Sequence, residues 1–433
     1  MQMGGSEPCS KNELDLFAIP PTQTVIEEGF FDDIHAHNSF ATSNVIRFDI
    51  DGDTRHYLNL NETELHLKGR ICNIGNPLNL VELKTNDATG PVNNLFHSLF
   101  SQIEIEINNK SVENTNTTYP YRAYIRNLLG YSESQKKSAL YGECFYKDQP
   151  GRFDTVNLKS DEQPNSGFLE RRKRFIGNCV ELQGKLDCDL FYLNHLIVNS
   201  VSFQIKITKN NPNFYMLGNE NKFAFVYDEV FLRIKRQVIS PSVMAALTKV
   251  SEQTPFKYPL KRTVLKPFVI PHASNKFTLP ICKGIMPRRA LFFFIETTAF
   301  DGAIGENPFN FKNFGVSTLN LKINSKSLPN TNGINMNYPK NNYLEGFKSL
   351  VKLIPDLDIS YEEFKNGYAI YAFDLNPDIS STEHYSLLRD GVMELDVKLS
   401  EKIDKSITLM AYLEYDNVIE INKYRQLSFD YLV

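Results

Sequence analysis

Four stretches of the chain hold residue types that could do chemistry. Gly29-x5-His35-x-His37 copies the opening of a cupin-type metal motif, in which two imidazoles on one strand face would bind a divalent ion. A carboxylate is expected four or five residues later, but Ala41 and Thr42 stand there, so the pair reads rather as two surface histidines in a loop. Cys144 and His97 are types that make a nucleophile and its base, although nothing in their spacing favours that pair over any other. Glu104 and Glu106 sit two apart in an alternating segment, where Ile103, Ile105 and Ile107 take the opposite face, so both carboxylates should point to solvent. Arg171-Arg172-Lys173-Arg174 is a strong basic run that would suit phosphate contact, nuclear import or protease cleavage, or else a solvated loop or the start of a strand. There is no G-x-S-x-G, H-E-x-x-H or P-loop. The sequence therefore assigns no catalytic, cofactor-binding or metal-ligating residue, and a structural or binding role is expected rather than an enzyme.

Composition narrows the choice of scaffold. The chain has 433 residues, enough for two domains, with 42% hydrophobic and 23% charged residues and a formal charge of −4. That balance folds, and it supplies no chain-wide basic field for nucleic acid. No run nears the roughly 18 apolar residues of a spanning helix, so no membrane span is expected. The opening Met1-Gln2-Met3-Gly4 lacks the apolar stretch of a signal peptide. The six cysteines are widely spread and form no C-x-x-C, which suggests free, mostly buried thiols in a reducing compartment. Phe (31) and Tyr (21) are abundant and Trp is missing, a mix that favours pleated, half-buried surfaces.

Period-2 alternation predicts strands at Val45 to Ile50, Thr63 to Ile71, Gln102 to Ile107, Val180 to Leu190, Val201 to Thr208 and Phe223 to Ile234. In the second half it predicts Ala290 to Glu296, Thr318 to Ile323, Tyr368 to Leu375, Val392 to Leu399 and Ile407 to Ile421. Helices should be few and short. The best one follows Ser240-Pro241, with Ser240 as N-cap and Pro241 in the first turn, and would connect two domains.

The chain also repeats itself. Ile107-Asn108-Asn109-Lys110-Ser111-Val112 returns as Ile323-Asn324-Ser325-Lys326-Ser327-Leu328. Tyr119-Pro120 returns as Tyr338-Pro339, each followed by a short apolar helix, and Tyr227-Asp228-Glu229-Val230 returns as Tyr415-Asp416-Asn417-Val418. The markers keep their order but are more widely spaced in the first half. Extra residues are therefore expected there, around Asp148 to Asn165. Two copies of one β-sandwich domain follow, with boundaries at 22–239 and 255–433, an N-terminal extension over 1–21 and a helical connector over 240–254.

Glu13-Leu14-Asp15-Leu16-Phe17-Ala18-Ile19-Pro20-Pro21-Thr22-Gln23-Thr24 resembles the start of the major capsid proteins of Polinton/Maverick elements and adintoviruses. Further matches are Asn94 to Gln102, Thr118 to Tyr124, Asn307-Pro308-Phe309-Asn310-Phe311, Gly367 to Leu375 and the closing Phe429-Asp430-Tyr431. The set covers nearly the whole chain. The resemblance implies an all-β chain of two tandem eight-stranded jelly-roll β-sandwiches (a double jelly roll), similar to virophage major capsid proteins and adenovirus hexon. It implies a homotrimer whose six jelly rolls make a pseudo-hexameric capsomer, and an icosahedral shell around double-stranded DNA. The partners it implies are further copies of the chain, neighbouring capsomers and a minor or penton capsid protein. Packaged double-stranded DNA would be held at most non-specifically. The place it implies is the virion capsid, after synthesis in the host cytoplasm and assembly there or in the nucleus. No cofactor is implied. A competing expectation is a two-domain jelly-roll carbohydrate-binding protein that stacks sugars on Tyr119, Tyr121 and Tyr124. Another is a jelly-roll hydrolase or metal-dependent oxygenase, which needs the metal site that the His35 and His37 stretch fails to complete.

Overall fold

A computed structural model describes residues 12–14, 16–17, 19–75, 80–158, 164–354, 356–376 and 384–429. Of the expected extension over 1–21 only residues 12–14, 16–17 and 19–21 are described, and the closing motif beyond Phe429 lies outside the described residues.

In the first half the strands are β1 (Ile26–His35), β2 (Val45–Ile50), β3 (His56–Asn73), β4 (Phe100–Ile107), β5 (Lys110–Asn114), β6 (Val180–Gly184), β7 (Phe203–Lys209) and β8 (Phe223–Ile239). They form two antiparallel sheets, β1-β8-β3-β6 and β2-β7-β4-β5. Helices α1 (Tyr119–Gly130) and α2 (Ser166–Phe175) lie between β5 and β6. A third helix, α3 (Pro241–Ser251), follows β8.

The second half repeats the plan with β9 (Phe256–Ile270), β10 (Lys276–Ile285), β11 (Arg289–Glu296), β12 (Val316–Ile323), β13 (Lys326–Leu328), β14 (Ile370–Asp374), β15 (Asp390–Leu399) and β16 (Ile407–Ile421). Its sheets run β9-β16-β11-β14 and β10-β15-β12-β13, so each strand of the first half has its counterpart eight labels later. Helix α4 (Leu344–Leu353) occupies the place of α1. Two jelly rolls in tandem make a double jelly roll. Inward-facing rows such as Ile103, Ile105 and Ile107 on β4, and Leu319 and Leu321 on β12, fill each sandwich and are at most 1% exposed. Glu104 and Glu106 face outward as expected; Glu106 pairs with Lys206 across the sheet at 2.6 Å.

The recurrent Asn turn is built the same way twice. Asn108 and Asn109 have φ of 46° and 61°, and Asn324 and Ser325 have 48° and 67°, the positive pair that a two-residue hairpin turn of matching twist needs. In each copy the first Asn side chain then accepts an N–H from the adjoining strand region, Ser202 in one and Val392 in the other, both at 2.9 Å.

Several expectations are corrected. The stretch Val180 to Leu190 is strand only to Gly184, and Asp189–Tyr192 forms a 3-10 turn. Helix α3 begins at Pro241, but the Ser240 side chain makes no cap; its carbonyl accepts the Met244 N–H at 3.0 Å instead. The extra residues of the first half lie between α1 and β6, over 131–179 against 354–369 in the second half, and they include α2. Among the described residues no helix is long and apolar enough to cross a membrane.

Candidate functional site at the seam between the jelly rolls

Helix α1 places Arg122 and Arg126 one turn apart on the face turned toward the second half. Arg122 pairs with Glu113 at 2.9 Å, Asp189 at 2.6 Å and Asp187 at 3.4 Å, and Arg126 reaches Asp187 at 2.5 Å. Across the seam, the backbone N–H of Thr263 on β9 donates to Asp189 Oδ2 at 2.9 Å, and Arg262 Nη1 donates to the carbonyl of Val112 at 3.0 Å. Three carboxylates thus share two guanidiniums, and all five groups but Arg126 are buried. Burial pushes the Asp189 carboxyl up to about 6, against the pull of Arg122. Burial opposes the charge on Arg122, but Asp189, Glu113 and Asp187 outweigh it and hold the guanidinium well above its ordinary value.

A second network starts from the basic run. Asn165 caps α2 by accepting the Phe168 N–H at 3.4 Å, and the helix turns Arg171 inward, where it is fully buried against Asp148 at 2.6 Å. Arg171 also donates to the carbonyls of Pro91 (3.0 Å) and Tyr146 (2.6 Å). The loop so fixed meets the second half: Asn307 donates to Asp148 at 3.2 Å and to Asp154 at 2.7 Å, and the Tyr368 hydroxyl donates to the Asp148 carbonyl at 2.7 Å. Arg172 is buried and donates to the carbonyls of Lys84, Thr85 and Asp87 at 2.6 to 3.0 Å. Arg174 donates to the carbonyl of Tyr141, and Lys173 alone of the four is exposed. The run is therefore neither a solvated loop nor a free basic patch, because its guanidiniums are taken up by the fold.

Between the two networks lies an aromatic layer. Tyr124 stacks on Phe309 with centroids 4.1 Å apart and planes at 12°, and Tyr121 stacks on Phe300 at 5.6 Å. Tyr119, Tyr121 and Tyr124 are at most 1% exposed, so the sugar-stacking platform expected of them is closed. Tyr121 and Tyr124 contribute packing across the seam instead, while Tyr119 packs on His97 within the first half.

The other candidates are not brought together. His97 is buried with Nδ1 2.8 Å from the Tyr119 hydroxyl and Nε2 3.0 Å from Glu143 Oε2, so both ring nitrogens are occupied. Cys144 is fully buried, and burial raises its thiol. His35 is exposed at the end of β1 beside the Phe231 ring, and His37 lies 3.8 Å from Asp49. Among the described residues no group of three or more His, Cys, Asp or Glu is placed to hold a metal ion. Sequence reasoning missed Glu113, Arg122, Arg126, Asp148, Asp187 and Asp189. The available signal was Arg122-x3-Arg126 at helical spacing inside an otherwise apolar helix, and Asp187-Cys188-Asp189 in an apolar stretch.

No family model matches the chain. An uncharacterised protein of Caenorhabditis elegans is 24% identical over 439 residues, covering 96% of this chain and all of the relative. Among solved structures, a chain of the Sputnik virophage superposes with a TM-score of 0.64 at 12% identity, covering 99% of this chain and 94% of that one. The mavirus major capsid protein gives 0.57 at 12% identity, covering 98% and 95%. A chain of the PBCV-1 virus capsid gives 0.56 at 10% identity, covering 96% and all of that chain. The likeness is one of fold along the whole chain: this is a double jelly roll of the architecture seen in those capsid structures.

Proposed function

We propose that the chain is a major capsid protein, a building block without enzymatic activity, of the Polinton/Maverick–adintovirus group. Three copies would associate into a capsomer with six jelly rolls around its rim, and capsomers would tile an icosahedral shell around double-stranded DNA. The observation that carries this reading is the seam. Two sandwiches are locked side by side by hydrogen bonds from Thr263 and Asn307 onto buried carboxylates of the first, by the Lys136–Asp358 ion pair at 2.9 Å and by an aromatic layer, which makes a stiff two-lobed tile rather than two hinged modules. The full-length likeness to capsid chains and the sequence motifs support the same reading, and the motifs alone support the narrower group.

In this reading the lobes are 22–239 and 255–433, joined by 240–254, and the segment over 1–21 extends from the first. A near-neutral charge suits lateral packing of many copies, since strong like charge would push neighbours apart. A minor or penton protein would close the fivefold positions, DNA would be contacted at most non-specifically, and the protein would reside in the virion capsid after synthesis in the cytoplasm and assembly there or in the nucleus. Light scattering behind a sizing column tests this directly. A species near three times 49.7 kDa is expected, with shells visible by electron microscopy. A stable monomer at micromolar concentration would overturn the capsomer reading.

A further inference from the structure

Helix α3 carries an apolar stripe that the chain itself only half covers. Val243, Leu247 and Val250 stand at i, i+4 and i+7 and so share one face. Val243 is half-buried, but Leu247 is 36% and Val250 63% exposed. Beside this stripe runs a cleft of about 270 Å³, walled by Val25, Leu196, Ile239, Val243, Leu247 and Phe256. The segment that leads into the cleft is apolar and uncovered as well: Leu14, Leu16, Phe17 and Ile19 are 72%, 77%, 97% and 87% exposed. Its direction is fixed where it joins the fold. The Val25 carbonyl accepts the Ser240 N–H at 2.8 Å, and the Gln23 side chain closes on Ile26, accepting its N–H at 2.8 Å and donating to its carbonyl at 3.0 Å. Ahead of that clasp, Pro20 and Pro21 hold the backbone extended. An extended chain carries Phe17 up to about 27 Å from Val25.

We propose that Leu14, Leu16, Phe17 and Ile19 of one copy cover the α3 stripe of a second copy, with the Phe17 ring entering the cleft. This inference rests on the reading that copies of the chain associate, and it names a segment that ties them. Three observations point to a second copy as the occupant. The four side chains are open to solvent within their own chain although the cleft begins at Val25, so their own cleft is not their seat. Every copy also brings one such segment and one such cleft, and exchange of an identical element between protomers fills each cleft with none left over. Charge agrees with the match. Glu13 and Asp15 stand among the apolar residues of the segment, and Lys257, which lines the cleft, is 61% exposed with its nearest acidic partner Glu420 at 3.6 Å. The gain is apolar area: two exposed apolar patches that a free chain would show to water are removed together.

The test is photo-cross-linking between isotopically distinct copies. The full chain carrying Phe17→p-benzoylphenylalanine is co-assembled with an excess of heavy-isotope wild type, its molar mass is read by light scattering, and the sample is irradiated. Peptide mass spectrometry should find position 17 of the light chain joined to heavy peptides from α3 or from the start of β9. In a second measurement the heavy partner carries L247D, which should lower the yield of that link at least tenfold. A heavy partner with A245D, on the opposite side of α3, should leave the yield unchanged. Leu247 and Ala245 are both exposed, so the melting temperature of either variant should hold. Links to light peptides alone would make the segment's own cleft its seat and overturn the proposal. An associated protein with no link to the cleft, or with a link that L247D leaves intact, would overturn this contact and leave the capsomer reading standing. A monomer with no link would overturn both.

Discussion

Asp189 of the first jelly roll accepts the backbone N–H of Thr263 in the edge strand of the second at 2.9 Å while sharing Arg122 with Glu113 and Asp187. One carboxylate therefore joins the two lobes and belongs to a buried cluster with one more negative than positive group. Burial is what lifts its pKa, and the negative charge of Glu113 adds to the lift against the pull of Arg122.

The sign of the consequence is fixed by that lift. The carboxyl moves from an unfolded value of 3.8 to about 6 in the fold, so the proton is bound more tightly in the native state. Its contribution to stability is fully present below about pH 4 and is lost as pH rises through about 6, a change of about 3 kcal/mol. The variant D189N keeps an acceptor for Thr263 without the charge. Urea unfolding midpoints followed from pH 4 to 7.5 should fall for the wild type relative to D189N, and the two curves should run parallel above pH 7.

Arg171 and Lys173 lie two residues apart in one basic run and should behave oppositely. Arg171 is completely buried against Asp148, and its removal strands that carboxylate, so Arg171→Ala should cost about 3–5 kcal/mol. Lys173 is exposed, and Lys173→Ala should change stability by less than about 0.5 kcal/mol. Equilibrium denaturation of the two variants separates a structural run from a surface one.

The parts of this fold that were legible in the sequence are those that bury one face. Val45–Ile50 and Ile407–Ile421 match the expected strands to the residue, because alternation or a continuous apolar run marks them. The edge strands β1 and β9 escaped notice. In β1 nearly every residue is exposed, and β9 carries Pro259 and Pro267, which an edge tolerates because one side of the strand needs no donor. Helix α2 was hidden for a different reason: four successive cations read as surface, and only the distant Asp148 and the carbonyls of Lys84, Thr85 and Asp87 allow Arg171 and Arg172 to be buried. The seam left only a faint mark, the Arg122-x3-Arg126 spacing and Asp187-Cys188-Asp189, since Arg122 and Asp189 are 67 positions apart and each is an ordinary surface type.

The paired turns offer a test of whether the repeat is structural in its details. In both copies an Asn holds positive φ and accepts an N–H from the adjoining strand region. Asn108→Gly and Asn324→Gly keep the backbone freedom and lose the acceptor, whereas the Ala variants lose both. Asn324→Gly should cost about 1 kcal/mol and each Ala variant about 1 kcal/mol more than its Gly counterpart. Thermal unfolding should show the Asn108 variants as the costlier pair, because Asn108 Nδ2 also donates to the carbonyl of Arg425 in the second half at 2.7 Å.

The thiols give a readout of the native fold that needs no substitution. Cys72, Cys144 and Cys188 are buried, Cys282 is half-buried and Cys179 is exposed. Among these five, Cys179 should therefore be alkylated first in the native protein. Its thiol is held above the ordinary value, by burial first and then because it donates to Asp228 at 3.3 Å, so its thiolate fraction at neutral pH is small. Labelling should be slow at pH 7 and quicken roughly tenfold per pH unit until the thiol ionises. Peptide mass spectrometry after timed alkylation reads each site separately. Cys144 and Cys188 should label only at the rate of unfolding, and their early modification would mean that the seam opens in solution.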